Sequence, residues 1–208
     1  MTWTVGFSCP LKNDDRNHVD IEGKGPFYTC SPEFLKPFYE VKGDLQLGVM
    51  TDYKRYNAND FPNKSNDFID FVRIACHPDK IAESLNVAED LHKKGYKIFI
   101  QLMEIQNVGA DGYIELFQWK NKNILESLYF ADSYSALKPE DIEKYYNKLK
   151  TIGYEKLSFH AHNELGLALE NSLRAAELGC YTIDTTFNGI GRGGGNLKLQ
   201  ELLENLPC

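Results

Sequence analysis

Short apolar runs rich in β-branched and aromatic residues recur along this chain, each followed by a stretch of helical period, and that alternation leaves few folds open. The runs fall at residues 4–8, 45–51, 71–76, 97–102, 127–131, 156–160 and 181–187. After the first gap their centres lie roughly 25–30 residues apart, about one strand–helix unit each. Strands spaced in this way pair in parallel and need helical cover on the sheet. A closed (βα)8 barrel and an open doubly wound sheet both satisfy the pattern, and periodicity does not separate them.

Helix punctuation supports the repeat. Ser31-Pro32 opens 33–40, Pro78 opens 79–94 with Gly95 after it, and Pro139 opens 140–152 with Gly153 after it. The segment 163–178, closed by Gly179, sets Leu165, Leu169, Leu173 and Ala176 on one stripe, with Glu170, Asn171, Arg174 and Glu177 largely opposite. Residues 197–206 make a last helix. Two polar stretches, 10–30 and 53–64, interrupt the rhythm and read as loops. At 208 residues and 42% hydrophobic composition, the chain is expected to form one domain over 1–208.

Charge and cysteine usage narrow the partners. A net charge of −7, from 30 acidic and 23 basic residues, leaves no basic stripe to neutralise phosphates, so nucleic acid is not expected as a partner. No apolar run approaches the ~20 residues of a membrane-spanning helix, and the start carries no basic-then-apolar leader. The five cysteines, Cys9, Cys30, Cys76, Cys180 and Cys208, form no Cys-x-x-Cys pair. Neither a disulfide framework nor a zinc knuckle is indicated, and a cytoplasmic location is expected.

The segment Lys156-Leu157-Ser158-Phe159-His160-Ala161-His162-Asn163 is a strand ending in His-x-His. Alternation puts His160 and His162 on one face near the strand's C-terminal end, where two imidazoles suit a divalent metal. The bland reading is one core histidine and one helix cap. After the last strand comes Asn188-Gly189-Ile190-Gly191-Arg192-Gly193-Gly194-Gly195-Asn196. Its formal G-x-G-x-x-G match has neither the following strand nor the distant acidic residue of a dinucleotide site, so most of these glycines read as turn formers. Arg192 and Asn196, a fixed cation and a neutral oxygen donor, could face an anion or a metal. Asp132 and Ser133 follow a strand directly, as orienting groups or as a helix cap. Arg73, Ala75 and His77 share one face of another strand, where Arg73 needs an anionic partner, either a ligand or a structural ion pair.

Together, Phe159-His160-Ala161-His162-Asn163 with Leu165-Gly166-Leu167-Ala168, Ala131-Asp132-Ser133, and the glycine-rich run ending in Asn196 resemble the HMG-CoA lyase-like metallolyases. The chain looks most like the 4-hydroxy-2-oxovalerate aldolase branch. The resemblance implies a TIM (βα)8-type barrel and cleavage or formation of a C–C bond through a metal-bound enolate of a 2-oxo acid such as pyruvate, an aldehyde being added or lost. It implies Mn²⁺ or Mg²⁺ as cofactor, with His160 and His162 as ligands and Asn196 as a ligand or its support. Ser133 would meet the substrate carboxylate and Asp132 would support the site. Arg192 and His77 join Ser133 as expected substrate contacts, and Arg73 is the first candidate for a catalytic cation.

One departure stands beside the match. The family's first strand ends in Arg-Asp-Gly, which supplies a metal ligand and an enolate-stabilising cation; no such tripeptide occurs here, and Gly6-Phe7-Ser8 resembles the second strand. A barrel truncated to about seven βα units is therefore expected, short of the ~250 residues typical of the fold, and residues 1–208 alone are expected to show no aldol cleavage. Two other functions compete: a catalytically inert barrel serving as a binding module, and a Claisen-type acyl transferase, whose long C-terminal extensions are missing here. The two strands bordering the gap would each leave a bare edge, so a homodimer or larger homo-oligomer is expected.

Overall fold

The structure, a computed structural model, describes residues 4–8, 26 and 30–206, with backbone alone for 4–8. Most of the expected 10–30 loop, with Cys9 and Cys208, lies outside the described residues. Seven strands lie among the described residues: β1 (Thr4–Ser8), β2 (Gln46–Asp52), β3 (Phe71–Cys76), β4 (Lys97–Leu102), β5 (Leu125–Asp132), β6 (Leu157–Ala161) and β7 (Thr182–Ile183). The α-helices whose limits fall among the described residues are α1 (Pro32–Val41), α2 (Ile81–Lys93), α3 (Ala110–Gln118), α4 (Pro139–Thr151), α5 (Ala168–Glu177) and α6 (Leu199–Asn205). The sheet order is β1-β2-β3-β4-β5-β6-β7. A doubly wound sheet reverses its winding at a switch point, whereas an order that never reverses is that of a (βα)8 barrel, and the fold is consistent with part of one.

Seven complete βα units are not what forms. Between β2 and β3 stand only two 3-10 turns, Ala58–Asp60 and Lys64–Asn66. Asn57, Asn59, Pro62 and Asn63 there favour turns, and their short side chains compete for backbone groups. The last strand is also shorter than the expected 181–187.

The chain divides into two compact units. The first comprises the described residues up to Cys76, Ala82–Ile100 and Asn123–Glu126. Here β1 pairs with β2 in parallel, Val5 opposite Leu47, and β2 pairs with β3, Val49 opposite Val72. Phe71, Val72, Ile74 and Cys76 are all buried, the near-continuous apolar reading of a strand covered on both faces. Gly48 lies beneath the Phe71 ring, where any Cβ would run into the aromatic carbons. The stretch after β2 holds its path through side chains: Tyr56 donates to Asp90, Lys94 Nζ donates to Phe61 O at 3.0 Å, and the Tyr96 hydroxyl lies 2.6 Å from Asp67 Oδ2 and 2.7 Å from Pro62 O.

The second unit comprises His77–Ile81, Gln101–Lys122 and the described residues from Ser127 onward. Its strands β5 and β6 pair in parallel with Ala131 opposite His160, and β6 pairs with β7 through Ser158–Thr182 and Phe159–Ile183. Phe130 and Phe159 are fully buried with ring centroids 5.0 Å apart. Burying each such ring contributes about 2–3 kcal/mol. Helix α5 begins at Ala168 because Asn163 Oδ1 accepts from the Ala168 N–H at 3.1 Å, which leaves residues 163–167 as a turn. The buried stripe is consequently Ala168, Asn171, Ser172 and Ala175, and Leu165, expected to face the core, is 65% exposed. Among the described residues no helix is long and apolar enough to cross a membrane.

Candidate metal centre

All the site residues foreseen on β5, β6 and the glycine-rich loop fall in the second unit, and β6 positions the pair that matters most. Its inward alternation continues one residue past the strand, so the His160 and His162 rings stand edge to face with centroids 5.1 Å apart. His160 Nδ1 lies 2.9 Å from Asp184 Oδ2, each side chain less than one-fifth exposed. An ionised carboxylate only accepts, so Nδ1–H donates and the Nε2 lone pair is left for a ligand. Asp184 was not foreseen. The one charged residue inside the 181–187 run was the signal.

The loop after β7 returns to the same place. Asn196 forms an isolated antiparallel bridge with His162, and the Asn163 N–H donates to Gly195 O at 2.8 Å. The loop owes its path to glycine: a Cβ on Gly191 would come within 2.6 Å of Asn196 Cγ, and Gly195 takes φ +88°. Asn196 Nδ2 donates to Ile190 O at 3.2 Å, which fixes the amide, while Oδ1 is buried with no hydrogen-bond partner. An orphaned acceptor of this kind costs roughly 1–3 kcal/mol unless something meets it.

The electrostatics favour a neutral His162 ring. Burial lowers the His162 pKa, aided by His160 and Arg192, against the carbonyls of Gly195 and Arg192, which favour the protonated ring. A ring held neutral is the ligating form. Two imidazoles and an unpartnered amide oxygen are donor types that a divalent ion accepts. Among the described residues no three His, Cys, Asp or Glu side chains are grouped to hold a metal, so Asn196 is the third donor in sight.

The other foreseen residues take distinct places. Asp132 is buried, and its two oxygens accept the N–H groups of Ala136 (2.9 Å) and Leu137 (3.1 Å), which gives it the work of shaping the β5–α4 turn. Burial raises its pKa above the ordinary value, although these N–H groups and His162 pull it down. Ser133 Oγ accepts from the Glu104 N–H at 2.9 Å, leaving its own O–H to donate elsewhere. Ser135 Oγ donates to His162 O at 2.9 Å and ties the β5 loop to the residue that follows β6. Arg192 is exposed on the glycine-rich loop, close enough to His162 to lower its pKa. His77 is partly exposed in the turn before α2, its carbonyl accepting from the Lys80 N–H. Arg73 belongs to the first unit, partly exposed on β3.

The second unit thus gathers a His pair, an amide oxygen and a carboxylate at the ends of parallel strands. The HMGL-like family model matches residues 61–207, and the chain belongs to that family. It is 25% identical over 185 residues to an oxaloacetate decarboxylase of Mycobacterium tuberculosis, covering 88% of this chain and 54% of that protein. It is 28% identical over 174 residues to a 4-hydroxy-2-oxovalerate aldolase of Carboxydothermus hydrogenoformans, covering 82% and 51%. The chain therefore spans about half the length of these relatives. In fold it is similar to the N-terminal domain of a provisionally assigned aldolase from Bacteroides vulgatus, at TM-score 0.79 and 24% identity, over 91% of this chain and 64% of that one.

Proposed function

We propose that this chain carries the metal-binding part of a divalent-metal-dependent aldolase or lyase that makes or breaks a C–C bond in a 2-oxo acid such as pyruvate. The observation that carries the reading is the buried, unpartnered Asn196 Oδ1 beside the His160–His162 pair. Its aldolase and decarboxylase relatives support it. In this reading His160, His162 and Asn196 hold Mn²⁺ or Mg²⁺, which when bound supplies the Lewis acidity that polarises the 2-oxo group.

The chain's own groups do the rest. Asp184 holds the His160 ring and its tautomer. Ser133 directs its free O–H to the substrate carboxylate, and the Arg192 guanidinium neutralises that carboxylate from the glycine-rich loop. Asp132 keeps the β5 loop in the shape that presents Ser133. His77, just after β3, is proposed as a further substrate contact, and Arg73, within β3, as a catalytic cation. Association into a homodimer is proposed from the strands β1 and β7 that end the sheet order.

The test is a Mn²⁺ titration read by the free-ion electron paramagnetic resonance signal. Wild type is expected to bind about one equivalent, and His160→Ala with His162→Ala to bind none while keeping its far-ultraviolet circular dichroism. Retention of the metal by the double variant would overturn the reading.

A further inference from the structure

A strained residue lies in the loop between β5 and α4. Ser135 is buried, and among the described residues it is one of three besides glycine with φ in the left-handed region, at +54°. Glycine would take the same backbone at lower cost. What the serine adds is one oxygen engaged in two bonds: Oγ donates to His162 O at 2.9 Å and accepts the Leu165 N–H at 3.2 Å. The turn around it is fixed as well. The Ser135 N–H donates to Asp132 O at 3.3 Å, the Asp132 carboxylate takes the Ala136 and Leu137 N–H groups, and Asn171 Nδ2 donates from α5 to Leu137 O at 2.8 Å. From that support Ser135 reaches the backbone of one member of the histidine pair.

We propose that Ser135 is a positioning residue, whose hydroxyl fixes the backbone of the proposed ligand His162 against the loop that presents Ser133. The inference rests on the reading of the site given above. Asp184 steadies the His160 ring through its nitrogen, and Ser135 steadies His162, one residue beyond β6, through its carbonyl. A ligand whose main chain is loose must be ordered when the ion binds, and a bridge already closed lessens that penalty. The coupling runs both ways: whatever factor the closed bridge adds to metal affinity, bound metal adds to the closure of the bridge.

Ser135→Gly removes the hydroxyl and relieves the backbone, so its circular dichroism should match wild type. In the Mn²⁺ titration its affinity is expected to fall by about tenfold. The visible absorption bands of the Co²⁺-loaded variant should differ from wild type, because His162 would meet the ion at altered geometry, a change that a purely structural serine would not produce. Ser135→Ala, which loses the hydroxyl but keeps the strain, should show the same loss of affinity with a lower thermal midpoint. A measurement on wild type alone reads the coupling in reverse: saturating Mn²⁺ should slow hydrogen exchange at the Leu165 N–H by up to about tenfold. That measurement decides the matter even if neither variant folds. Wild-type affinity with an unchanged Co²⁺ spectrum in Ser135→Gly, or Leu165 exchange indifferent to the metal, overturns the proposal and leaves the metal site standing. A wild-type chain that takes up no Mn²⁺ overturns the reading of the site, and the proposal with it.

Discussion

Two polar clusters, one in each unit, are built from similar residue types and end in opposite states. In the first unit Asp70 Oδ2 accepts from the Leu47 N–H and from Lys42 Nζ, both at 3.0 Å, and Oδ1 faces Lys64 Nζ at 3.5 Å. Its backbone N–H donates back to Leu47 O, so every polar atom of this residue has a partner. In the second unit the cluster of His160, Asp184, His162 and Asn196 leaves the buried Asn196 amide oxygen without a hydrogen-bond partner. A closed network spends its polar groups on the fold. An open one keeps them for a ligand, and the stability it forgoes is the mark of that use.

The contrast breaks most sharply at Asn196. Asn196→Ala removes the orphaned oxygen, so Mn²⁺ affinity should fall by more than the ~100-fold upper end seen for outer-shell partners, while thermal stability without metal stays level or rises. A clear drop in metal-free stability would mean that Asn196 serves the fold as Asp70 does. Gly191→Ala is expected to weaken binding too, because its Cβ would press on the Asn196 amide.

Asp184 comes next in size. Asp184→Asn keeps the shape but offers His160 Nδ1 a weaker, neutral partner, and Mn²⁺ affinity is expected to fall by about 10–100-fold with unchanged circular dichroism. Unaltered affinity would separate this carboxylate from the site.

How far these features could be read in advance follows the same division between closed and open chemistry. The limits of β3 and β4 are legible because strands buried on both faces are unbroken apolar runs. The final strand is not, because Asp184 turns to His160 and only Thr182–Ile183 pair with β6. The start of α5 is misread by five residues because Asn163 caps it from outside the helix, a side-chain contact that hydrophobic period does not encode. His160, His162 and Asn196 stand out as types and spacing, whereas the work of Asp132 in shaping a turn depends on which N–H groups the fold brings to it. The missing helix after β2 is foreshadowed by the asparagines there, although the Tyr56, Tyr96 and Lys94 bonds that order the stretch join residues about thirty apart.

The smallest effect sharpens the other half of the comparison, through pH. Burial alone would raise the Asp70 carboxyl, but the Leu47 N–H and the ammonium groups of Lys42 and Lys64 outweigh it and hold the folded pKa below the ordinary value. A depressed folded pKa means that the carboxylate's contribution is fully present above the unfolded value of about 3.9 and is lost as pH falls through the folded one. Asp70→Asn, which keeps the hydrogen-bond acceptor but not the charge, is expected to lower stability by about 1–2 kcal/mol near pH 7 in urea unfolding. The gap between wild type and variant should hold steady down to about pH 5 and close progressively below about pH 4. Mn²⁺ affinity, measured near neutral pH on the folded variant, should match wild type. A gap that stays constant to pH 3 would show that Asp70 acts by shape and not by charge, and a change in metal affinity would show that the two clusters are not the independent devices described above.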